Sequence, residues 1–107
     1  MSTKRCVVLF SGNGSNLENL LNKKDEYKDK LNYISAFTDN TQAKGIEVCK
    51  QFNLDVSVSK KDTLHEDLNK FLSHNNPDLI ILSGYMKIIP ELIVNTYLGK
   101  IINIHPS

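Results

Sequence analysis

Asn103 and His105 stand two residues apart in the stretch Ile101-Ile102-Asn103-Ile104-His105-Pro106-Ser107. The apolar Ile101, Ile102 and Ile104 suit a buried strand, and side chains two apart on a strand share a face, so the amide and the imidazole point the same way from its end. An imidazole exchanges a proton near neutral pH, and a primary amide donates hydrogen bonds to an oxygen that is gaining negative charge. Together they could carry out acyl transfer. A histidine satisfied at the rim of a sheet has the same spacing, and a two-residue pattern does not separate the two readings.

A second chemical feature follows the apolar run at residues 6–10. Ser11-Gly12-Asn13-Gly14-Ser15-Asn16 leads into Leu17, Leu20 and Leu21 at helical spacing, with Ser15 and Glu18 set as a capping box. The pattern is strand, tight glycine loop, helix N-terminus. Glycines permit a sharp turn and the close approach of a ligand, and the first amides of a helix point outward at its positive end. A phosphate fits such a place. The alternative is an ordinary strand-to-helix turn whose backbone angles need glycine. A dinucleotide fingerprint would have a third glycine where Leu17 stands, so the loop suits one phosphate better than a pyrophosphate.

The elements that must position these residues alternate along the chain. Residues 6–10 are apolar on both faces, as in a strand covered on both sides by helices. Residues 23–30 are a mixed-charge helix end and linker, and residues 33–37 form a second strand. A helix over residues 43–52 follows, with Ile46, Cys49 and Phe52 on one stripe. Gly45 weakens that helix and suits close packing, ligand approach or simple tolerance. Residues 56–58 are a short third strand. Asp62 can cap a helix carrying Leu64, Leu68, Phe71 and Leu72, which Pro77 prevents from continuing. His65 and His74 lie off its apolar stripe and read as surface residues.

Residues 79–82 form a fourth strand that runs into Ser83-Gly84-Tyr85-Met86-Lys87-Ile88-Ile89. Pro90 then opens a short helix that stops near Gly99, and the closing stretch is the fifth strand. Strict alternation of strand and helix predicts an α/β fold, a doubly wound, Rossmann-like, mostly parallel sheet with right-handed crossovers. Its expected strand order is 3-2-1-4-5. Ligands bind such sheets beyond the carboxyl ends of the strands, where the order reverses. That brings residues 12–16 beside residues 84–89, with Asn103 and His105 one strand further along the same edge.

A chain of 107 residues fits a single domain, residues 1–107. Its 13 basic and 12 acidic residues are interspersed, which gives no nucleic-acid or membrane-surface footprint. No apolar run approaches the roughly 18 residues of a spanning helix, and the start has no signal-peptide core, so the expected location is cytoplasmic. Cys6 and Cys49 lack metal-ligand spacing and read as buried reduced thiols; no metal site is expected.

The residues now on the page resemble the N-terminal half of the phosphoribosylglycinamide formyltransferase family, folate-dependent enzymes of purine biosynthesis. Residues 11–17 resemble its phosphate loop, residues 77–89 its folate-side strand and loop, and Asn103-Ile104-His105-Pro106-Ser107 its catalytic strand. The resemblance covers the whole chain but about half of the family's usual length. It implies that Gly14, Ser15 and Asn16, with Gly12 and Asn13, bind the phosphoribosyl group of glycinamide ribonucleotide. It also implies that Met86, Lys87, Ile88 and Ile89 line the pocket of the co-substrate 10-formyltetrahydrofolate, together with Asn103 and Lys61. Lys61 and Lys87 stand where the family often has Arg, keeping the charge without the planar fork; a solvated surface role is the alternative for each.

By the same resemblance, Asn103 steadies the oxyanion and His105 serves as general acid or base, with no metal. The implied partners are glycinamide ribonucleotide and reduced folate, with no nucleic acid and no membrane. The family's third catalytic residue, an Asp, lies beyond Ser107. The chain is therefore expected to be truncated at its C-terminus and to transfer little or no formyl group alone. Three alternatives remain. Formyltetrahydrofolate deformylase shares the folate loop and the Asn-x-His strand, methionyl-tRNA formyltransferase would add basic surface, and a non-catalytic module could bind a phosphorylated metabolite through the glycine loop alone.

Overall fold

The computed structural model describes residues 3–12 and 14–104. Five parallel strands form one sheet in the order β3-β2-β1-β4-β5, as the alternation of elements predicts. The strands are β1 (Lys4–Phe10), β2 (Leu31–Thr38), β3 (Val56–Val58), β4 (Leu79–Ser83) and β5 (Ile101–Ile104). β1 is central. Its residues from Cys6 onward are buried whichever face they point to, because helices cover both sides of the sheet. β2 begins two residues earlier and ends one later than its apolar core suggests, since Lys4 to Leu31 and Phe10 to Thr38 extend the ladder with β1.

The helices α1 (Ser15–Asn22), α2 (Gly45–Gln51), α3 (Leu64–Asn75) and α4 (Glu91–Thr96) divide between the two faces. Strand alternation sorts the core accordingly. Val8, Phe10, Ala36 and Ile81 meet Leu17, Leu21, Val48 and Cys49 from α1 and α2. Val7, Leu9, Phe37 and Ile80 meet Leu68, Phe71 and Leu72 of α3 and Ile93 of α4. The rings of Phe37 and Phe71 lie 5.2 Å apart at 45°. Both cysteines are buried and free, and burial pushes the Cys49 thiol up to about 11. His65 and His74 are exposed on α3.

Three helix starts differ from the sequence expectation, α2 by beginning at Gly45 rather than at residue 43. α1 has Gly14 as its N-cap, in the left-handed region at φ 87°, and Ser15 is already helical, so the Ser15–Glu18 capping box does not form. The Glu18 amide instead closes the first turn on the Gly14 carbonyl at 2.7 Å. Asp62 does not cap α3: it lies within a short 3-10 turn, Lys61–Thr63, and the N-cap is Thr63. The Thr63 and Ser59 hydroxyls each donate to Asp67 in the first turn at 2.8 Å, holding its carboxyl below the usual carboxylate range. Pro90 opens α4, and Gly99 turns the chain toward β5 at φ 79°. No helix among the described residues is long and apolar enough to cross a membrane.

Candidate active site

Strand order decides what meets what at the carboxyl edge of the sheet. β1 lies between β2 and β4, so the loops leaving all three strands are neighbours. After β1 the chain passes Ser11 and Gly12 to Gly14 and α1. Gly14 combines its positive φ with crowding: an added Cβ would lie 2.7 Å from Gly45 Cα, so the glycine loop sits directly on the start of α2. At Gly12 an added Cβ would meet nothing within 4 Å, which leaves that backbone open to an approaching group. Gly45, buried at the first position of α2, serves close packing, one of the roles its sequence left open.

Ser11 joins the three loops. Its hydroxyl donates to Asp39 Oδ1 at 2.5 Å and accepts the Met86 amide at 2.9 Å, while its carbonyl accepts Asn40 Nδ2 at 3.1 Å. A cavity of about 500 Å³ opens here, lined by Ser11, Asp39, Asn40, Lys61, Leu64, Met86 and Lys87. It brings Lys61, from before α3, and Lys87, from after β4, to one wall system with a carboxylate. Two cations and an acid in a half-polar hollow suit a ligand bearing both anionic and hydrogen-bonding groups. A larger hollow of about 620 Å³ lies beside Ser57, Lys60 and Lys70, away from the loops that follow β1 and β4.

The four loop residues expected on the folate side take different positions around this cavity. Met86 and Lys87 line the 500 Å³ cavity. Ile88 is 87% exposed, and Ile89 packs against the core on the α3–α4 side, so neither lines it. Gly84 carries the turn out of β4 at φ 71°. Tyr85 packs inward, and burial, with the charge of Asp39 adding, pushes its phenol up to about 12. The Tyr85 and Ser83 hydroxyls are buried with no hydrogen-bond partner among the described residues.

Asn103 stands on β5 opposite Leu82, exposed and on the same sheet face as Ile101. It is one strand from the β4 loop but does not line the 500 Å³ cavity. Asn13 and His105 lie outside the described residues. Gly12, Gly14, Ser15 and Asn16 form the loop and helix start next to Ser11, beside the cavity rather than in its lining.

Sequence reading missed Ser11 and Asp39 as site residues. Ser11 was visible only as part of the glycine loop, and nothing local marks a pair 28 residues apart.

The glycine loop after β1, Lys87 after β4 and Asn103 on β5 thus come from the carboxyl edge of one parallel sheet, the edge at which open α/β folds bind small molecules. The profile of the Formyl transferase family matches residues 4–107, and the chain belongs to that family. It is 34% identical over 110 residues to phosphoribosylglycinamide formyltransferase of Bacillus subtilis, covering 97% of this chain and 56% of the relative. The Escherichia coli enzyme of the same name is 30% identical over 107 residues, covering 94% of this chain and 50% of the relative. The crystal structure of the Anaplasma phagocytophilum phosphoribosylglycinamide formyltransferase superposes with a TM-score of 0.86 at 33% identity, over 99% of this chain and 51% of that one. The chain thus spans about half the length of the curated relatives it matches.

Proposed function

We propose that this chain forms half of the active site of an enzyme that formylates glycinamide ribonucleotide from 10-formyltetrahydrofolate. The observation that carries the reading is the junction at Ser11, where the loop suited to a phosphate and the segment suited to a folate are joined at the ends of adjacent strands. Residues 12–16 would hold the phosphoribosyl group, with Gly14, Ser15 and Asn16 at the positive end of α1. Met86, Lys87 and Lys61 would hold the folate, and Ile88, exposed beyond the cavity, would touch it only if a further part of the protein closes over that edge.

In the reaction, the neutral glycine amine attacks the formyl carbon, forming a C–N bond and a tetrahedral oxyanion. The bond from that carbon to the folate nitrogen then breaks. The amine gives up a proton and the folate nitrogen gains one, so proton and charge balance. Asn103 donates to the oxyanion and His105 carries the proton. Aligning the two bound substrates supplies much of the remaining acceleration. The family resemblance assigns a further catalytic Asp to the half of the relatives' length that this chain does not span.

The test follows the formyl group, with and without glycinamide ribonucleotide, using this chain alone and the same chain continued to the length of its relatives. Transfer to the amine is expected in the longer protein and little or none in the 107 residues. Asn103→Ala in the longer protein should lower kcat by about 10² to 10³, the usual loss for one oxyanion donor. Formate release without ribonucleotide would instead identify a deformylase. Ribonucleotide binding with no transfer in the longer protein would leave a binding module.

A further inference from the structure

The Ser11 hydroxyl has a fixed direction. The Met86 amide can only donate, so the Ser11 oxygen accepts from it; the Asp39 carboxylate accepts, so it takes the single Ser11 proton. Ser11 is 7% exposed, which makes both bonds costly to lose. Asn40 reinforces the arrangement from the loop after β2, donating to the Ser11 carbonyl and accepting the Gln42 amide at 2.9 Å through its own side chain.

Among the described residues, little else holds the segment that Ser11 grips. Met86 is 79% exposed, Lys87 is exposed and Ile88 is 87% exposed, and only at Ile89 does the chain return to the core. Residues 86–88 are therefore pinned at their two ends, by a hydrogen bond at Met86 and by packing at Ile89. Met86 and Lys87 line the same cavity as Lys61 and Ser11, so the bond from the Met86 amide to Ser11 holds one of the cavity's own lining residues in place.

Resting on the function proposed above, we propose that Ser11 is a positioning residue that couples the two substrate sites. Its backbone opens the phosphate loop, and its hydroxyl, oriented by Asp39, fixes the start of the folate-lining segment. An alanine there leaves the glycine loop's backbone free to form but removes the acceptor for Met86. The defect should therefore fall on the folate side.

Hydrogen exchange at the Met86 amide of the 107-residue chain tests the clamp without any ligand. Ser11→Ala should speed that exchange by about tenfold, in keeping with the loss of one buried hydrogen bond, and Ser11→Thr, which keeps the hydroxyl, should restore it. Asp39→Ala, which leaves the hydroxyl but not its orienting partner, should give a severalfold increase and serves if Ser11→Ala does not fold. In the protein continued to its relatives' length, Ser11→Ala should raise the KM for 10-formyltetrahydrofolate by about tenfold while the KM for glycinamide ribonucleotide stays within about twofold. Unchanged Met86 exchange in Ser11→Ala and Asp39→Ala, or both KM values rising together, would overturn the coupling. If the wild-type longer protein transfers no formyl group, the proposed function fails, and the exchange data still decide whether Ser11 holds the segment.

Discussion

A Cβ added to Gly45 would lie 2.5 Å from Phe10 Cε2 and 2.7 Å from Cδ2 of the same ring, which is itself buried at the end of β1. Alanine normally stabilises a helix relative to glycine by roughly 1 kcal/mol, so propensity alone would favour Gly45→Ala. Overlap with a packed ring works against it, and inserting a methyl group into a well-filled site typically costs about 1–3 kcal/mol. The overlap is the larger effect. Gly45→Ala should lower the urea-unfolding free energy by about 1–2 kcal/mol, and a variant as stable as the wild type would show that Phe10 can move aside. The lysines illustrate the same dependence on surroundings. Lys61 and Lys87 look like surface charges along the chain, yet they share one cavity with Asp39.

The start of α3 shows how an element can move its anchor by a residue and keep its place. Asp62 has the right chemistry for a cap, but the 3-10 turn takes it up, and Thr63 becomes the boundary. The stabilising carboxylate is Asp67, four residues on, which accepts from Thr63 and then from Ser59, and sits at the positive end of the helix. Its folded pKa is depressed, chiefly by those two hydroxyls. The stability it contributes is accordingly complete above the ordinary carboxylate pKa of about 3.9, and disappears as pH falls through the lower folded value. Asp67→Asn should therefore be less stable than the wild type at pH 7, with the gap closing as the pH is taken below about 4. Thermal melts of both proteins across that range check it, and a gap that stays constant down to pH 2 would remove Asp67 titration as the cause.

At the scale of the molecule, the sheet has one edge dressed differently from the rest. Among the described residues β5 pairs with β4 alone, and Ile102, 48% exposed, borders a hollow of about 330 Å³ that is mostly apolar, with Leu20, Tyr27, Leu79, Ile81 and Ile104. Met86, Ile88, Leu92 and Leu98 add large exposed side chains in the same last quarter of the sequence. An unpaired, apolar strand edge is a template for association. Sedimentation of the 107-residue chain should show self-association that grows with concentration, and Ile102→Lys should suppress it at a cost of no more than about 1 kcal/mol in stability, since the side chain is already half in water. Association indifferent to that substitution would point to another surface.

The order of the elements, the parallel sheet, its two covered faces and the neighbourhood of the glycine loop and the β4 loop were legible in the sequence. Apolar periodicity is a property of residues close in the chain, and the handedness of crossovers then restricts the topology. Local chemistry marked Gly14 and Asn103 as site candidates, and the family resemblance added Lys61, Met86 and Lys87. It could not show that Ser15 begins α1 rather than capping it, because the left-handed Gly14 and its seat on Gly45 depend on how α2 packs. It could not separate Met86 and Lys87, in the cavity, from Ile88, outside it, because one β4 loop presents its residues in several directions. Above all it could not find the Ser11 junction. Asp39 and Met86 lie 28 and 75 residues from Ser11, and they reach it only because β1 runs between β2 and β4, in a register that brings the three strand ends level.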